Sequence, residues 1–268
     1  MTGPVLAVIG VGKLGEALLS GLLRAGRPAD RLLGAERHPE RAGEITERYG
    51  VAMRSPGEAA GAADVLLLAV KPQDMRGLLR DVADVLRPGA LVVSVAAGIT
   101  TALLQRELPA GTPVVRVMTN TPVFVDEAMS AVSPGEHATD EHVGLVEDLL
   151  RAVGKVVRVP EAQQDAVTAL SGSGPAYFFY LVEAMIDAGI LLGLPRAVAS
   201  ELLVQTAVGA AVMLRETGEH PVQLREAVMS PAGTTISAIR VMEDRGVRAA
   251  MLAALEAARD RSRELAGD

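Results

Sequence analysis

Residues 5–15 read Val5-Leu6-Ala7-Val8-Ile9-Gly10-Val11-Gly12-Lys13-Leu14-Gly15, and this stretch decides the fold. Five aliphatic residues without alternation suit a strand buried on both faces. Glycines follow at the spacing GxGxxG, and a helical pattern near 13–25 begins among them. In such a strand–turn–helix setting Gly10 permits the tight turn, and Gly12 lets a pyrophosphate approach the backbone. Gly15 lets the helix pack on the strand. A glycine-rich turn without a ligand is the plainer alternative.

Working outward, RLLGAE (31–36) precedes a second helical pattern at 39–49. DVLLLAV (64–70), ALVVSVA (90–96), PVVRVM (113–118), AMSAVS (128–133) and KVVRV (155–159) read as further strands. This alternation predicts an α/β domain with a doubly wound parallel sheet of Rossmann type. From about Asp165 the strand runs cease. Ala- and Leu-rich helical patterns cover 164–193, 196–217, 221–229, 233–245 and 247–265. The expected organisation is a dinucleotide-binding domain at 1–160 and an all-helical domain at 161–268. Helices apolar nearly all round need burial on several sides, which a second subunit supplies most simply.

Composition narrows the function. The 268 residues are 49 % apolar and carry a net charge of −7, with no cysteine. A mildly acidic chain argues against nucleic acid or an anionic membrane as partner. The missing thiols remove disulfides, thiolate nucleophiles and thiolate-bound zinc. His38, His137, His142 and His220 form no metal-binding spacing. The N-terminus lacks a basic region followed by a cleavable apolar segment. SGSGP at 171–175 would break a membrane helix. A soluble, cytoplasmic protein is expected.

The carboxyl ends of the strand runs supply candidate cofactor residues. Glu36, about twenty residues past the glycines, is placed to bind a ribose 2′-hydroxyl as NAD requires. Arg37 beside it favours a 2′-phosphate instead, and a solvated loop is the bland alternative. Ala69-Val70-Lys71-Pro72 ends the run at 64–70, where Lys71 could reach phosphate or ribose or simply end a strand. Ala97, before Gly98, is small enough for a flat ring to approach. Asn120 offers an amide donor and acceptor, or an Asx-type turn before Pro122. Ser171 to Tyr177 interrupts a helical pattern, either as a kink or as part of a site wall. Tyr177-Phe178-Phe179-Tyr180 reads as core rather than a stacking platform. Near the C-terminal end, Val228-Met229-Ser230-Pro231-Ala232-Gly233-Thr234-Thr235 opens a helical pattern. Ser230 suits an N-cap and Pro231 a first helical position. The orphan amides of such a helix start favour a carboxylate or phosphate.

These blocks together carry a resemblance. GVGKLG (10–15), AVKP (69–72), SVAAGIT (94–100), MTNTP (118–122), LSGSGPAY (170–177), ETGEHP (216–221) and AVMSPAGTTISAIRVME (227–243) resemble, in order, the pyrroline-5-carboxylate reductases. The resemblance implies a Rossmann domain followed by a helical dimerisation domain, with dimers that in several members assemble by fives into decamers. It implies NAD(P)H-dependent reduction of 1-pyrroline-5-carboxylate to L-proline, with NADP(H) favoured and NAD(H) allowed. Gly10, Gly12, Lys13, Leu14, Gly15, Ala69, Val70, Lys71 and Pro72 would then hold the cofactor, and Ala97 and Asn120 would approach its nicotinamide half. Val228, Ser230, Gly233, Thr234 and Thr235 would hold the substrate.

Two positions depart from the family pattern. Ala232 replaces the first glycine of a usual pair, where a methyl is compatible with helical angles and narrows the pocket slightly. Glu36-Arg37-His38 replaces a Ser- or Thr-rich turn. The expected catalytic pair is Ser230, binding carboxylate together with the amides of Gly233 to Thr235, and Thr235, whose hydroxyl faces the imine nitrogen. Two alternatives are a β-hydroxyacid-dehydrogenase-like enzyme and a non-enzymatic dinucleotide sensor. The first leans on a lysine in its helical half, whereas the last lysine here is Lys155. The second has no use for the SPAGTT segment.

Overall fold

The computed structural model describes residues 3–266. The first half alternates β1 (Leu6–Ile9), α1 (Lys13–Arg24), β2 (Leu32–Ala35), α2 (Pro39–Tyr49), β3 (Ala52–Met53), α3 (Pro56–Ala62), β4 (Val65–Leu68), α4 (Pro72–Ala83), β5 (Leu91–Ser94), α5 (Thr101–Glu107) and β6 (Val114–Met118). β7 (Ala128–Pro134), α6 (Asp140–Arg151) and β8 (Gly154–Arg158) complete the sheet. Its order is β3-β2-β1-β4-β5-β6-β7-β8. β1 lies between β2 and β4, with Ile9 opposite both Ala35 and Leu68. The winding direction reverses there, so a crevice opens at the carboxyl ends of these strands.

Alternate residues of one strand build the two faces of the core. Leu6 and Val8 pack with Leu18, Leu19 and Leu22 of α1, while Ala7 and Ile9 pack with Met75 and Leu79 of α4. All nine of these side chains and the glycine-loop Val11 are buried, as aliphatic runs without alternation require.

The sheet is mixed rather than wholly parallel. β7 runs antiparallel to β6, with Val117 opposite Val132, and β8 is parallel to β7. The reason is connection length. Residues 119–127 make one short 3₁₀ turn, whereas a parallel return needs a crossover of about a dozen residues or more. The short strand β3 carries no aliphatic run and was not expected.

The second half is helical: α7 (Gln164–Val167), a π-turn at Thr168–Gly172, α8 (Gly174–Leu191), α9 (Arg196–Thr217), α10 (Pro221–Ala227), α11 (Thr234–Asp244) and α12 (Val247–Ala266). By compactness the chain forms one unit of Met1–Ser173 with Ala258–Asp268, and another of Gly174–Ala257. Residues 161–173 therefore pack with the sheet. Gln164 Nε2 donates to Ser133 Oγ at 2.8 Å, and Ser262 Oγ donates to Asp165 at 2.7 Å.

Within the second unit α8 and α9 cross closely at Gly189, where a Cβ would lie 3.0 Å from that of Ala199. Much of their apolar surface stays exposed in the single chain. Leu191 is 89 % exposed, and Phe178, Phe179 and Tyr180 are exposed too rather than in a core. An exposed apolar face of this extent marks an interaction surface.

Candidate active site

The glycine loop is shaped by its neighbours. Gly10 has φ +91°, and a Cβ there would stand 2.9 Å from Val70 Cγ1 and 3.0 Å from the Ala69 carbonyl carbon. A Cβ on Gly15 would collide with the Gly10 carbonyl oxygen, yet one on Gly12 would meet nothing. So Gly10 and Gly15 close the loop onto β4 and α1, while Gly12 keeps open space above its backbone. No side chain caps α1, whose N-cap is Gly12. Its first amides face that space with the positive end of the helix dipole. A cradle of this shape fits a pyrophosphate. Lys13 is exposed beside it and Leu14 half-buried.

A cavity of about 360 Å³ runs from this loop past Ala35, Glu36, Arg37 and His38 to Ala69, Val70, Lys71 and Asp74. Lys71 is the N-cap of α4 and Pro72 its first residue. Glu36 turns back on its own loop, accepting the His38 amide at 3.1 Å. Arg37 Nη1 lies 3.6 Å from Asp74 Oδ2, and its Nε donates to His38 Nε2 at 3.3 Å. Arg41, on the first turn of α2, is held by Glu44 at 2.8 Å and by Glu16. Glu16 also accepts from Arg48 at 2.8 Å and Tyr49 at 2.9 Å. Burial pushes the Glu16 carboxyl up, but these donors outweigh it and hold it below the usual glutamate range. Asp74 and Arg41 were missed in the sequence. Their one signal was helical phase, since the first turns of α4 and α2 both begin at strand ends.

Another hollow, of about 330 Å³ beside Gly26, Arg27 and Leu149, lies past the far end of α1. No motif residue lines it.

Past β5, Ala97 is exposed between buried Ala96 and Gly98, the latter at φ +73°. Thr100 caps α5 by accepting the Leu103 amide at 3.2 Å. Asn120 has both ends of its amide engaged. Nδ2 donates to Ser171 O at 3.1 Å, and Oδ1 accepts the Met129 amide at 2.9 Å. It therefore ties the end of β6 to β7 and to the π-turn, where Gly172 lies against the Met118 side chain, whose Cε a Cβ would displace. That turn, closed by Ser173 N donating to Thr168 O at 2.8 Å, is the interruption expected at SGSG.

Residues 228–235 belong to the second unit, and their conformation corrects three expectations. Helix α11 starts at Thr234, so its N-cap is Gly233, not Ser230. Pro231 occupies a turn rather than a first helical position. The Gly233 amide donates to Ser230 O at 3.0 Å, closing a four-residue β-turn. Ala232 adopts φ +57°, the left-handed region, instead of helical angles. Proline second and a positive φ third are the marks of a type II turn, where glycine is preferred third. A Cβ on Gly233 would collide with Ser230 Oγ, so the serine hydroxyl lies directly over the helix start. The Gly233 amide being occupied, the orphan donors begin at Thr234. Thr235 is half-buried, Ser230 and Thr234 are exposed, and Val228 is 64 % exposed. Ser237 Oγ, unforeseen in the sequence, donates to Gly233 O at 3.0 Å and steadies the first turn.

A family model described as pyrroline-5-carboxylate reductase dimerisation matches residues 161–265. One described as NADP oxidoreductase, coenzyme F420-dependent, matches residues 5–98. The pyrroline-5-carboxylate reductase of Corynebacterium melassecola is 47 % identical, covering 97 % of this chain and 98 % of its own. The solved structure of a pyrroline-5-carboxylate reductase from Coxiella burnetii has a TM-score of 0.93 at 37 % identity, covering 98 % of each chain. That of Plasmodium falciparum pyrroline carboxylate reductase with NADP bound has a TM-score of 0.89 at 26 % identity, covering 99 % of each. Glu161–Leu191 and Arg196–Thr217 are long and apolar enough to cross a membrane. Both fall within the dimerisation match, which accounts for their exposed apolar faces. The chain belongs to the pyrroline-5-carboxylate reductase family, oxidoreductases of proline biosynthesis.

Proposed function

We propose that this chain, working in the cytoplasm, reduces 1-pyrroline-5-carboxylate to L-proline with NADPH in preference to NADH. The observation that carries the reading is the Ser230–Gly233 turn feeding an uncapped helix start, in a chain that also has an open Gly12 cradle. Gly10 to Gly15 and Ala69 to Pro72 hold the dinucleotide. The exposed methyl of Ala97 and the turn fixed by Asn120 stand toward its nicotinamide half. When bound, the cofactor supplies a hydride for the carbon of the C=N bond.

The chain's own residues bind and orient the substrate. Its carboxylate needs donors already aimed at it, and the Ser230 hydroxyl with the amides of Thr234 and Thr235 supplies them. Val228 lies just before this turn and Gly233 closes it. Thr235 Oγ1 faces the ring nitrogen. A threonine hydroxyl is a weak acid, so its role is to position a nitrogen that arrives protonated or takes its proton from solvent. Holding the C=N carbon in reach is worth several kcal/mol in such reactions.

Self-association follows from the exposed faces of α8 and α9, with a dimer as the unit and a decamer of five dimers as the larger form. Purified protein should oxidise NADPH only when the cyclic imine is added. An imine-independent rate, or none with imine present, would sink the reading. Sedimentation velocity decides the assembly.

A further inference from the structure

The mouth of the cofactor cleft carries both signs of charge. Arg37, Arg41 and Lys71 line it, and so do Glu36 and Asp74. Arg41 is locked into the framework by Glu44 and Glu16. Glu36 is folded onto its own turn. Arg37 is the arginine at this mouth whose acidic neighbour, Asp74, lines the cleft with it. Asp74, on the first turn of α4, lies 3.6 Å from its guanidinium. The two side chains are 66 % and 41 % exposed, so the pair is weak and open to exchange.

We infer that Asp74 sets cofactor selectivity by competing with the cofactor's 2′-phosphate for Arg37. The inference rests on the reading of Arg37 as the group that meets that phosphate. A phosphate monoester is the stronger partner for a guanidinium than Asp74, because it carries more negative charge than a carboxylate and can accept two parallel hydrogen bonds, whereas Asp74 stands 3.6 Å away. To use Arg37, however, a 2′-phosphate must first break the pair with Asp74. A cofactor with a free 2′-hydroxyl leaves the pair in place. Asp74 therefore narrows the gap between NADPH and NADH without reversing it. Its place on the first turn of a helix also suits the helix dipole, and a role confined to the helix predicts no ligand discrimination.

The test uses half-ligands, so it does not depend on turnover. Adenosine 2′,5′-bisphosphate and 5′-AMP are titrated calorimetrically into wild type, Asp74→Asn, Arg37→Ala and the double variant, at low salt. Asp74→Asn is expected to tighten the bisphosphate by about two- to fivefold, the scale of an exposed ion pair, and AMP by clearly less. With Arg37 replaced by alanine, that gain should vanish. If Asp74→Asn leaves the bisphosphate unchanged, or tightens both ligands alike, the inference is overturned while the reading of Arg37 stands. A gain that survives in the double variant overturns competition in favour of direct repulsion. If Arg37→Ala binds the bisphosphate as wild type does, the reading of Arg37 fails, and this inference with it.

Discussion

Arg116 of β6 and Glu161 form an ion pair at 3.2 Å in which the arginine side chain is only 5 % exposed. The same carboxylate accepts the Thr101 amide at 2.8 Å and the Thr101 hydroxyl. One side chain thus joins the strand before Asn120, the helix after Ala97, and the residue at which the dimerisation match begins. Replacing Glu161 by alanine strands a buried guanidinium, which costs about 3–5 kcal/mol. Urea unfolding should show that loss, and Glu161→Gln, which keeps an acceptor, should lose less. Equal midpoints for wild type and Glu161→Ala would refute the account.

Ala232 stores strain at the Ser230–Gly233 turn. An L-residue in the left-handed region costs about 1–2 kcal/mol, and glycine recovers this less its extra chain entropy of about 0.5–1 kcal/mol. Ala232→Gly is therefore expected to stabilise the protein by about 0.5–1 kcal/mol, and a valine there to destabilise it further. Thermal scans of the three proteins check the order. A glycine variant less stable than wild type would mean that the turn is not left-handed in solution.

Thr235→Ala should lower kcat/KM for the cyclic imine by roughly ten- to a thousandfold, which is about 1.4–4 kcal/mol of transition-state binding. Thr235→Ser should recover most of it, because it restores the hydroxyl. Steady-state kinetics with imine as the varied substrate decide this, and wild-type turnover in the alanine variant removes Thr235 from the site.

Acid should weaken the fold through Glu16 and Glu147. For Glu147 the hydrogen bond from Arg158 outweighs burial; for Glu16 burial is outweighed by Tyr49 and Arg41. Both carboxyls end below the ordinary glutamate value of 4.5. A group with a depressed folded pKa binds fewer protons folded than unfolded as the pH drops. Its stabilisation is complete above 4.5 and is lost as the pH falls through the folded pKa. Urea midpoints should be flat from about pH 7 to pH 5 and then decline. Glu16→Gln should flatten the decline, and a midpoint that holds to about pH 3 contradicts the assignment.

The glycine loop, most strands and the helical tail were readable in the chain because their signals are local. Val5 to Gly15 needs no partner to announce a buried strand and a glycine turn, and Arg196 to Thr217 announces its helix by composition. Residues 228–235 were readable as the start of a helix but not in shape. Ser-Pro reads equally as a cap with a first helical residue or as the start of a type II turn. The hydrogen bond from the Gly233 amide to Ser230 O separates the two.

Other features depend on residues distant in sequence. Asn120 could have offered its amide to a ligand or to the backbone, and Ser171 and Met129 take it. Tyr177 to Tyr180 looked like core, yet a hydrophobic run does not say whether its own chain or another covers it. β7 reverses because a short connection cannot cross the sheet. Asp74 meets Arg37 only because β1, flanked by β2 and β4, brings the ends of two βα units to one cleft. Local pattern specified the elements and the glycine loop, since these depend on neighbours in sequence. Strand direction, turn type, and the pairing of charges and amides were settled by packing, because each is a choice among local conformations of similar energy that distant contacts tip.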